Sequence, residues 1–319
     1  SYLVKWCALP YEDATWEKEE VVKGLADGPD SIREYRSRLT LDQKRMGALP
    51  VGRRPDRSSW KPFEESPVYK ADNTLRSYQL EGVNWLVFCW MNQQSCIIAD
   101  EMGLGKTVQS VAFLDLIYQK FNVRGPFLIV APLSTLPHWQ REFEAWTNLN
   151  VIVYHGSKAS RDVMYEYEFF FKNAQDQPIP GFTKFDVLIT TYEMAMAGIE
   201  QLVNITWRAA IFDEAHRLKN RQSKAADVLK TLEVEHKILL SGTPIQNSIE
   251  ELWSLLNFLQ PQRFYSEEEF LDEYGDLTNA DDVARLQELL KPLMLRRLKE
   301  DVEKSIPVKE ETIIEVELT

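Results

Sequence analysis

Beyond residue 74 the chain alternates between two hydrophobic rhythms. Uninterrupted apolar runs rich in Ile, Val and Leu occupy 96–99, 127–131, 151–154, 185–190, 208–213 and 237–241. Longer stretches with helical spacing fall between them, at 107–120, 135–146, 161–172, 223–232 and 249–259. Continuous apolar strands separated by helices predict a parallel sheet buried on both faces, a doubly wound α/β domain. Such sheets bind ligands beyond the carboxyl ends of their strands. Residues 278–303 return to a helical, charged pattern that includes Leu293-Met294-Leu295-Arg296-Arg297-Leu298-Lys299-Glu300. The final Ile313-Ile314-Glu315-Val316-Glu317-Leu318-Thr319 reads as a strand.

Ahead of this domain the pattern changes. Tyr2-Leu3-Val4-Lys5-Trp6 and Thr15-Trp16-Glu17 predict two strands around a turn at Leu9-Pro10-Tyr11-Glu12-Asp13, and 31–39 predicts a short helix with Ser31 as its N-cap. From 40 to 74 the apolar periodicity lapses. Gly47, Pro50, Gly52, Pro55, Pro62 and Pro67 interrupt any helix, and Arg53, Arg54, Arg57 and Lys61 outweigh Asp56. This stretch is expected to be a linker.

With 319 residues, 44% hydrophobic and 27% charged, the chain can bury a sizeable core. Collagen-like, low-complexity and disulfide-stapled architectures are excluded. Apolar stretches such as 127–133 fall far short of the about 20 residues that span a bilayer, so no membrane partner is expected. A net charge of −12 argues against general nucleic-acid affinity, yet leaves room for a local basic strip. Cys7, Cys89 and Cys96 form no paired motif, and with four histidines no metal-ligand spacing appears. They are expected to be buried or half-buried free thiols in a reducing compartment. The chain opens on Ser1 in what reads as mid-strand, as expected of a piece of a longer protein.

Chemistry concentrates at three strand ends. Strand 96–99 runs into Asp100-Glu101-Met102-Gly103-Leu104-Gly105-Lys106-Thr107 and then a helix. A glycine-rich loop between strand and helix presents backbone N–H groups to phosphate. Lys106 would reach the β- and γ-phosphates and the Thr107 hydroxyl would ligate Mg²⁺. The strict P-loop pattern asks for Gly at position 100, where this chain has Asp. The second strand end carries Asp213-Glu214-Ala215-His216, with Asp213 as a second Mg²⁺ ligand and Glu214 orienting the attacking water. The third carries Ser241-Gly242-Thr243-Pro244. One crevice would collect all three, which points to a nucleoside triphosphatase. Upstream, the Gln79 amide could read adenine through N6 and N7.

These residues also carry a resemblance. Leu75-Arg76-Ser77-Tyr78-Gln79-Leu80-Glu81-Gly82-Val83-Asn84-Trp85, the loop 100–107, Ala131-Pro132-Leu133-Ser134-Thr135, Ile189-Thr190-Thr191-Tyr192, Asp213-Glu214-Ala215-His216-Arg217-Leu218-Lys219-Asn220 and Ser241-Gly242-Thr243-Pro244-Ile245-Gln246-Asn247 resemble, in order, the first-lobe motifs of SWI/SNF-type ATPases of helicase superfamily two. The N-terminal strands resemble the second half of a chromodomain. Together the two resemble the chromodomain–helicase–DNA-binding remodelers, closest to the group of large developmental remodelers.

The resemblance implies a RecA-like lobe over 74–294, preceded by part of a chromodomain (1–39) and the linker (40–73), and followed by a connector (295–319). It implies that Gln79 selects adenine, that Asp100, Glu101, Met102, Gly103, Leu104, Gly105, Lys106 and Thr107 hold ATP, and that Thr107 and Asp213 hold Mg²⁺. Glu214 would activate water, and His216 would relay nucleotide state towards the coupling residues Ser241, Gly242 and Thr243. Pro132, Leu133, Ser134, Thr135, Thr190, Thr191 and Lys219 would lie near duplex DNA. The expected function is ATP-driven DNA translocation that repositions nucleosomes, in the nucleus. The alternatives are a strand-separating helicase and a non-catalytic chromatin adaptor. Histones, a first chromodomain and a second ATPase lobe would be the partners, the second lobe supplying arginine fingers without which this half scarcely hydrolyses ATP. A methyl-lysine cage is not expected: Trp6 matches its middle aromatic, but Leu9 stands at the third position.

Overall fold

A computed structural model describes residues 1–302 apart from 40, 42, 219–223, 243–248 and 276–279. Lys219, Thr243 and most of the connector, from 303 on, therefore lie outside the described residues. At the N-terminus β1 (Tyr2–Val4) and β2 (Thr15–Glu17) pair antiparallel, with Leu3 opposite Trp16. The helix that closes this unit spans Gly28–Ser37, starting earlier than Ser31 because Pro29 occupies its first turn. A proline there fixes a helical φ and lacks only an N–H that would go unpaired.

The main sheet has seven parallel strands in the order β11-β3-β10-β9-β4-β8-β5. They are β3 (Cys96–Ile98), β4 (Phe127–Val130), β5 (Val151–Tyr154), β8 (Val187–Thr190), β9 (Ala209–Phe212), β10 (Lys237–Leu240) and β11 (Met294–Leu295). Alternate residues enter two separate cores, as the two-residue period of a strand requires. Ile97, Leu128, Ala210, Phe212 and Leu239 pack on one face, and Cys96, Ile98, Ile129, Ile211, Ile238 and Leu240 on the other. The second face is covered by Val83 and Leu86 of helix Ser77–Met91, Val111 of Lys106–Phe121, and Trp139 and Phe143 of Leu136–Trp146. Leu252 and Leu255 of helix Ile249–Leu259 cover the first.

Two stretches differ from the helical expectation. Helix Lys158–Met164 gives way to a wide turn, Tyr165–Phe169, and then to β6 (Phe170–Lys172), which pairs with β7 (Pro178–Thr183). Phe169 and Phe171 are both buried, so aromatic residues of high strand propensity override the helical spacing. Within 278–303, helix Ala280–Leu290 stops ahead of Pro292 and the chain extends as β11. There Ile97 N donates to Leu293 O (2.8 Å), Ala99 N to Leu295 O (2.7 Å) and Glu101 N to Arg297 O (3.0 Å). The extra strand covers an edge that would otherwise be open.

The described part of the stretch 40–74, from 43 on, is docked. Arg45 Nη2 pairs with the buried Asp186 (2.8 Å), and burial pushes the Asp186 carboxyl up from its ordinary value against the pull of that guanidinium. Arg54 Nη1 meets Glu235 at 3.0 Å while its ring-facing guanidinium lies over Trp90. Arg208 takes the other Glu235 oxygen and donates to the Leu49 carbonyl. This clamp sits at the amino ends of β9 and β10. All three cysteines are free; Cys89 and Cys96 are buried, whereas Cys7 is exposed, contrary to the expectation for that residue. Among the described residues no helix is long and apolar enough to cross a membrane.

Candidate nucleotide and DNA site

Loops following the five adjacent strands β3, β10, β9, β4 and β8 open on one edge of the sheet, and they carry the described candidate residues apart from Gln79. After β3 the chain turns through Gly103 (φ +89°) and Gly105 (φ +78°) into the helix that begins at Lys106. Gly105 is favoured by its backbone, and a side chain there would also displace Gln79. An L side chain is strained at that φ, and a Cβ there would come within 2.5 Å of Gln79 Nε2. Gln79 thus lies against the loop, its Oε1 accepting from Arg76 N (3.0 Å).

Lys106 Nζ donates to the carbonyls of Asp100 (2.8 Å) and Glu101 (3.4 Å). Burial lowers its pKa from the ordinary lysine value, opposed by the negative charges of Asp100, Glu214, Asp213 and Glu101. Its two carbonyl partners are neutral and can be exchanged for phosphate oxygens. Thr107 is half-buried in the first helical turn, Glu101, Met102 and Gly103 are exposed, and Leu104 is buried.

The departure at Asp100 has a structural cause. Its carboxylate is fully buried and accepts from Arg297 Nε at 3.1 Å, while Arg297 Nη2 holds the other oxygen and also Gln109 Oε1 (2.9 Å). Arg297 Nη1 donates to the Tyr78 carbonyl. Gly82 leaves the space: a Cβ there would lie 1.8 Å from Gln109 Oε1 and 2.9 Å from Arg297 Nη2. The Asp100 side chain therefore anchors the loop from beneath.

After β9, each Asp213 carboxylate oxygen accepts one N–H: Oδ1 from Glu214 N and Oδ2 from Trp139 Nε1, both at 2.9 Å. Each oxygen keeps a lone pair for a hard cation, and together with the Thr107 hydroxyl this donor set fits Mg²⁺. Glu214 sits at φ +50°, a strained conformation for glutamate, of the kind that clusters at functional sites. Its Oε2 lies 3.1 Å from His216 Nδ1. After β10, Ser241 is buried, and a Cβ on Gly242 would meet Met102 Cγ at 2.8 Å and Lys106 Nζ at 3.8 Å. The β10 loop thus touches the phosphate loop directly.

After β4, Leu133 and Ser134 are exposed and Pro132 and Thr135 half-buried. After β8, Thr190 and Thr191 are buried; Thr190 Oγ1 donates to Tyr154 O (2.8 Å), and Thr191 Oγ1 accepts from Met194 N (3.1 Å) to cap helix Tyr192–Ala197. Sequence reasoning passed over Gln109 and Trp139 and placed Arg297 in the connector, away from the site. The one available signal was Asp100 itself, an acid at a strand end that has to find a partner.

Comparison with known proteins gives a consistent picture. Residues 78–319 match the family described as the SNF2-related domain, and residues 1–38 match the Chromo (chromatin organisation modifier) domain. The chain is 56% identical over 319 residues to human chromodomain-helicase-DNA-binding protein 8 and 54% identical over 318 residues to human chromodomain-helicase-DNA-binding protein 7. Each match covers all of this chain but only 12% and 10% of those relatives. Among solved structures, the Sulfolobus solfataricus SWI2/SNF2 ATPase core in complex with double-stranded DNA superposes with a TM-score of 0.65 at 27% identity. That match covers 77% of this chain and 49% of the other.

Proposed function

The chain belongs to the SNF2-related domain family, and on that premise we propose that it is the ATP-binding first lobe of a DNA-dependent ATPase that translocates on duplex DNA and repositions nucleosomes in the nucleus. The observation that carries this reading is the meeting, at one sheet edge, of Lys106 with Asp213 and Glu214. In this reading Gln79 selects adenine, the backbone of 101–105 cradles the phosphates, and Lys106 exchanges its two carbonyl partners for phosphate oxygens. Thr107 and Asp213 hold Mg²⁺, which when bound neutralises charge developing on the phosphate oxygens. Glu214 orients water, with His216 against its carboxylate to sense the state of the site. Gly242, in contact with Met102, carries that state into the Ser241–Gly242–Thr243 loop.

The solved Sulfolobus relative is complexed with double-stranded DNA. Here the exposed Leu133 and Ser134, with Pro132 and Thr135, form the face for one DNA strand. Thr190 and Thr191 shape the neighbouring β8 loop from within. Histones, a first chromodomain and a second lobe are the expected partners. Arginines from a second lobe are worth about 10³–10⁵ in rate in comparable sites, so this chain alone binds nucleotide weakly and turns over little.

The test is Glu214→Gln in the two-lobed protein, assayed for ATP hydrolysis with and without duplex DNA and for binding of a fluorescent ATP analogue. The expected result is loss of turnover with binding retained. Surviving turnover would overturn the role given to Glu214. Brisk hydrolysis by residues 1–319 alone would overturn the need for a second lobe.

A further inference from the structure

We propose that Trp139 and Tyr192 are positioning residues through which the loops after β4 and β8 set the orientation of Asp213; the inference rests on the DNA-binding reading above. Among the described residues, the hydrogen bonds of Asp213 run to four groups. Its own neighbour Glu214 N holds Oδ1, and Asp213 N donates to Val130 O (2.8 Å), at the end of the strand that enters the 132–135 loop. Trp139 Nε1 holds Oδ2 at 2.9 Å, and the Tyr192 hydroxyl donates to the Asp213 carbonyl at 2.8 Å. Both aromatic side chains are buried, whereas Asp213 is half-buried, so the donors are fixed by packing while the acceptor borders the open edge.

Trp139 is carried on an element that starts at the exposed candidate DNA contact 133–134, and Tyr192 on one that starts at the buried Thr191 of the β8 loop. Trp139 lies in helix Leu136–Trp146, which continues directly from the turn Leu133–Thr135. Tyr192 opens the helix capped by Thr191. A displacement of either loop by DNA therefore moves a group bonded to Asp213. The carboxylate and the carbonyl of this one residue are held from two different elements. Partners that orient a metal-ligating carboxylate typically matter 10–100-fold in metal affinity or activity.

The experiment uses the two-lobed protein, with Trp139→Phe, which keeps an aromatic ring and removes the donor, and Tyr192→Phe, which removes a single oxygen. Duplex-stimulated ATP hydrolysis and binding of a fluorescent ATP analogue are titrated against Mg²⁺. Protein labelled with 5-fluorotryptophan is followed by fluorine NMR, the Trp139 resonance being identified by its loss in Trp139→Phe. The expected result is that duplex DNA alone shifts the Trp139 resonance. Each variant raises the Mg²⁺ needed for half-maximal effect about 10-fold or more, with Mg²⁺-free nucleotide affinity unchanged. Wild-type Mg²⁺ dependence and wild-type DNA stimulation in Tyr192→Phe and in a folded Trp139→Phe would overturn the coupling while leaving the DNA reading in place. Failure of duplex DNA to bind or stimulate the parent protein would overturn the DNA reading itself, and the coupling with it.

Discussion

Replacing Arg297 with Met tests whether the last described strand holds the phosphate loop in shape. The side chain of Arg297 is 11% exposed and that of Asp100 is not exposed at all. Among the described residues, losing the guanidinium leaves the buried carboxylate with only a long contact from Gln109 Nε2 (3.4 Å). Removing one partner of a buried ion pair costs about 3–5 kcal/mol, because the remaining charge is uncompensated. At about 2–4 °C per kcal/mol for chains somewhat smaller than this one, melting should fall by roughly 10 °C. Asp100→Asn in the Arg297→Met background removes the orphaned charge, so the double variant should recover more than about 1 kcal/mol relative to the sum of the singles. Urea unfolding of all four proteins of the cycle, followed by circular dichroism at pH 7, supplies the numbers. A single-variant loss under about 1 kcal/mol, or strict additivity, would refute the argument that the pair anchors the loop. The expected companion effect is weaker nucleotide binding, since the Asp100 carbonyl is one of the two groups that hold Lys106.

Three further outcomes are expected. Burial, followed by the nearby charge of Arg54, lowers His236 from 6.5 to about 3, and among the described residues neither ring nitrogen has a hydrogen-bond partner. Because the folded value is depressed, the unfolded chain binds the extra proton between these values; stability is full above about 6.5 and falls by up to about 1.4 kcal/mol per pH unit below it. Urea midpoints measured from pH 7 to pH 4 should show this slope, and His236→Phe should flatten it. Gly105→Ala should weaken binding of a fluorescent ATP analogue at least severalfold, because the new Cβ displaces Gln79 while the backbone is held at positive φ; equal affinity would contradict the geometry. Glu235→Leu removes the carboxylate shared by Arg54 and Arg208, whose side chains are 6% and 5% exposed, and should cost about 3 kcal/mol or more. Limited proteolysis should then cut within 40–74, where the parent protein resists.

The parallel sheet was legible because six of its strands are continuous apolar runs that no solvated helix could carry. Its seventh strand was not, since Met294 and Leu295 sit in a charged sequence whose extended form depends on bonding to Ile97 and Ala99. The same holds for 161–172, where aromatic packing against the sheet decides against a spacing that also suits a helix. Lys106, Asp213 and Glu214 could be found because each stands at the end of a recognisable strand. Arg297 and Trp139 could not, because their partners lie 197 and 74 residues away in sequence. The docking of the linker was equally hidden: Arg54 and Arg45 look like solvated basic residues until Glu235 and Asp186 are brought beneath them.

These long-range bonds divide the two edges of the sheet between separate duties. At the amino edge, Arg54, Glu235 and Arg208 fasten the linker to the roots of β9 and β10 through partners that are almost wholly buried. Opening that clamp would strand charges without water, so this edge behaves as a fixed base. At the carboxyl edge the contacts are of another kind. Lys106 is held by two carbonyls, Asp213 keeps lone pairs open on both oxygens, and Gly242 touches Met102 without an interlocking side chain. Each of these can be exchanged for a phosphate or a cation at little cost to the fold. Arg297 joins the two regimes. It is buried enough to belong to the base, yet the carboxylate it grips is the first residue of the phosphate loop. A pull on β11 therefore reaches the nucleotide edge through Asp100, whereas the same pull on the linker would be absorbed by the clamp. That asymmetry makes the β11 side, and not the linker, the one mechanically coupled to the candidate site.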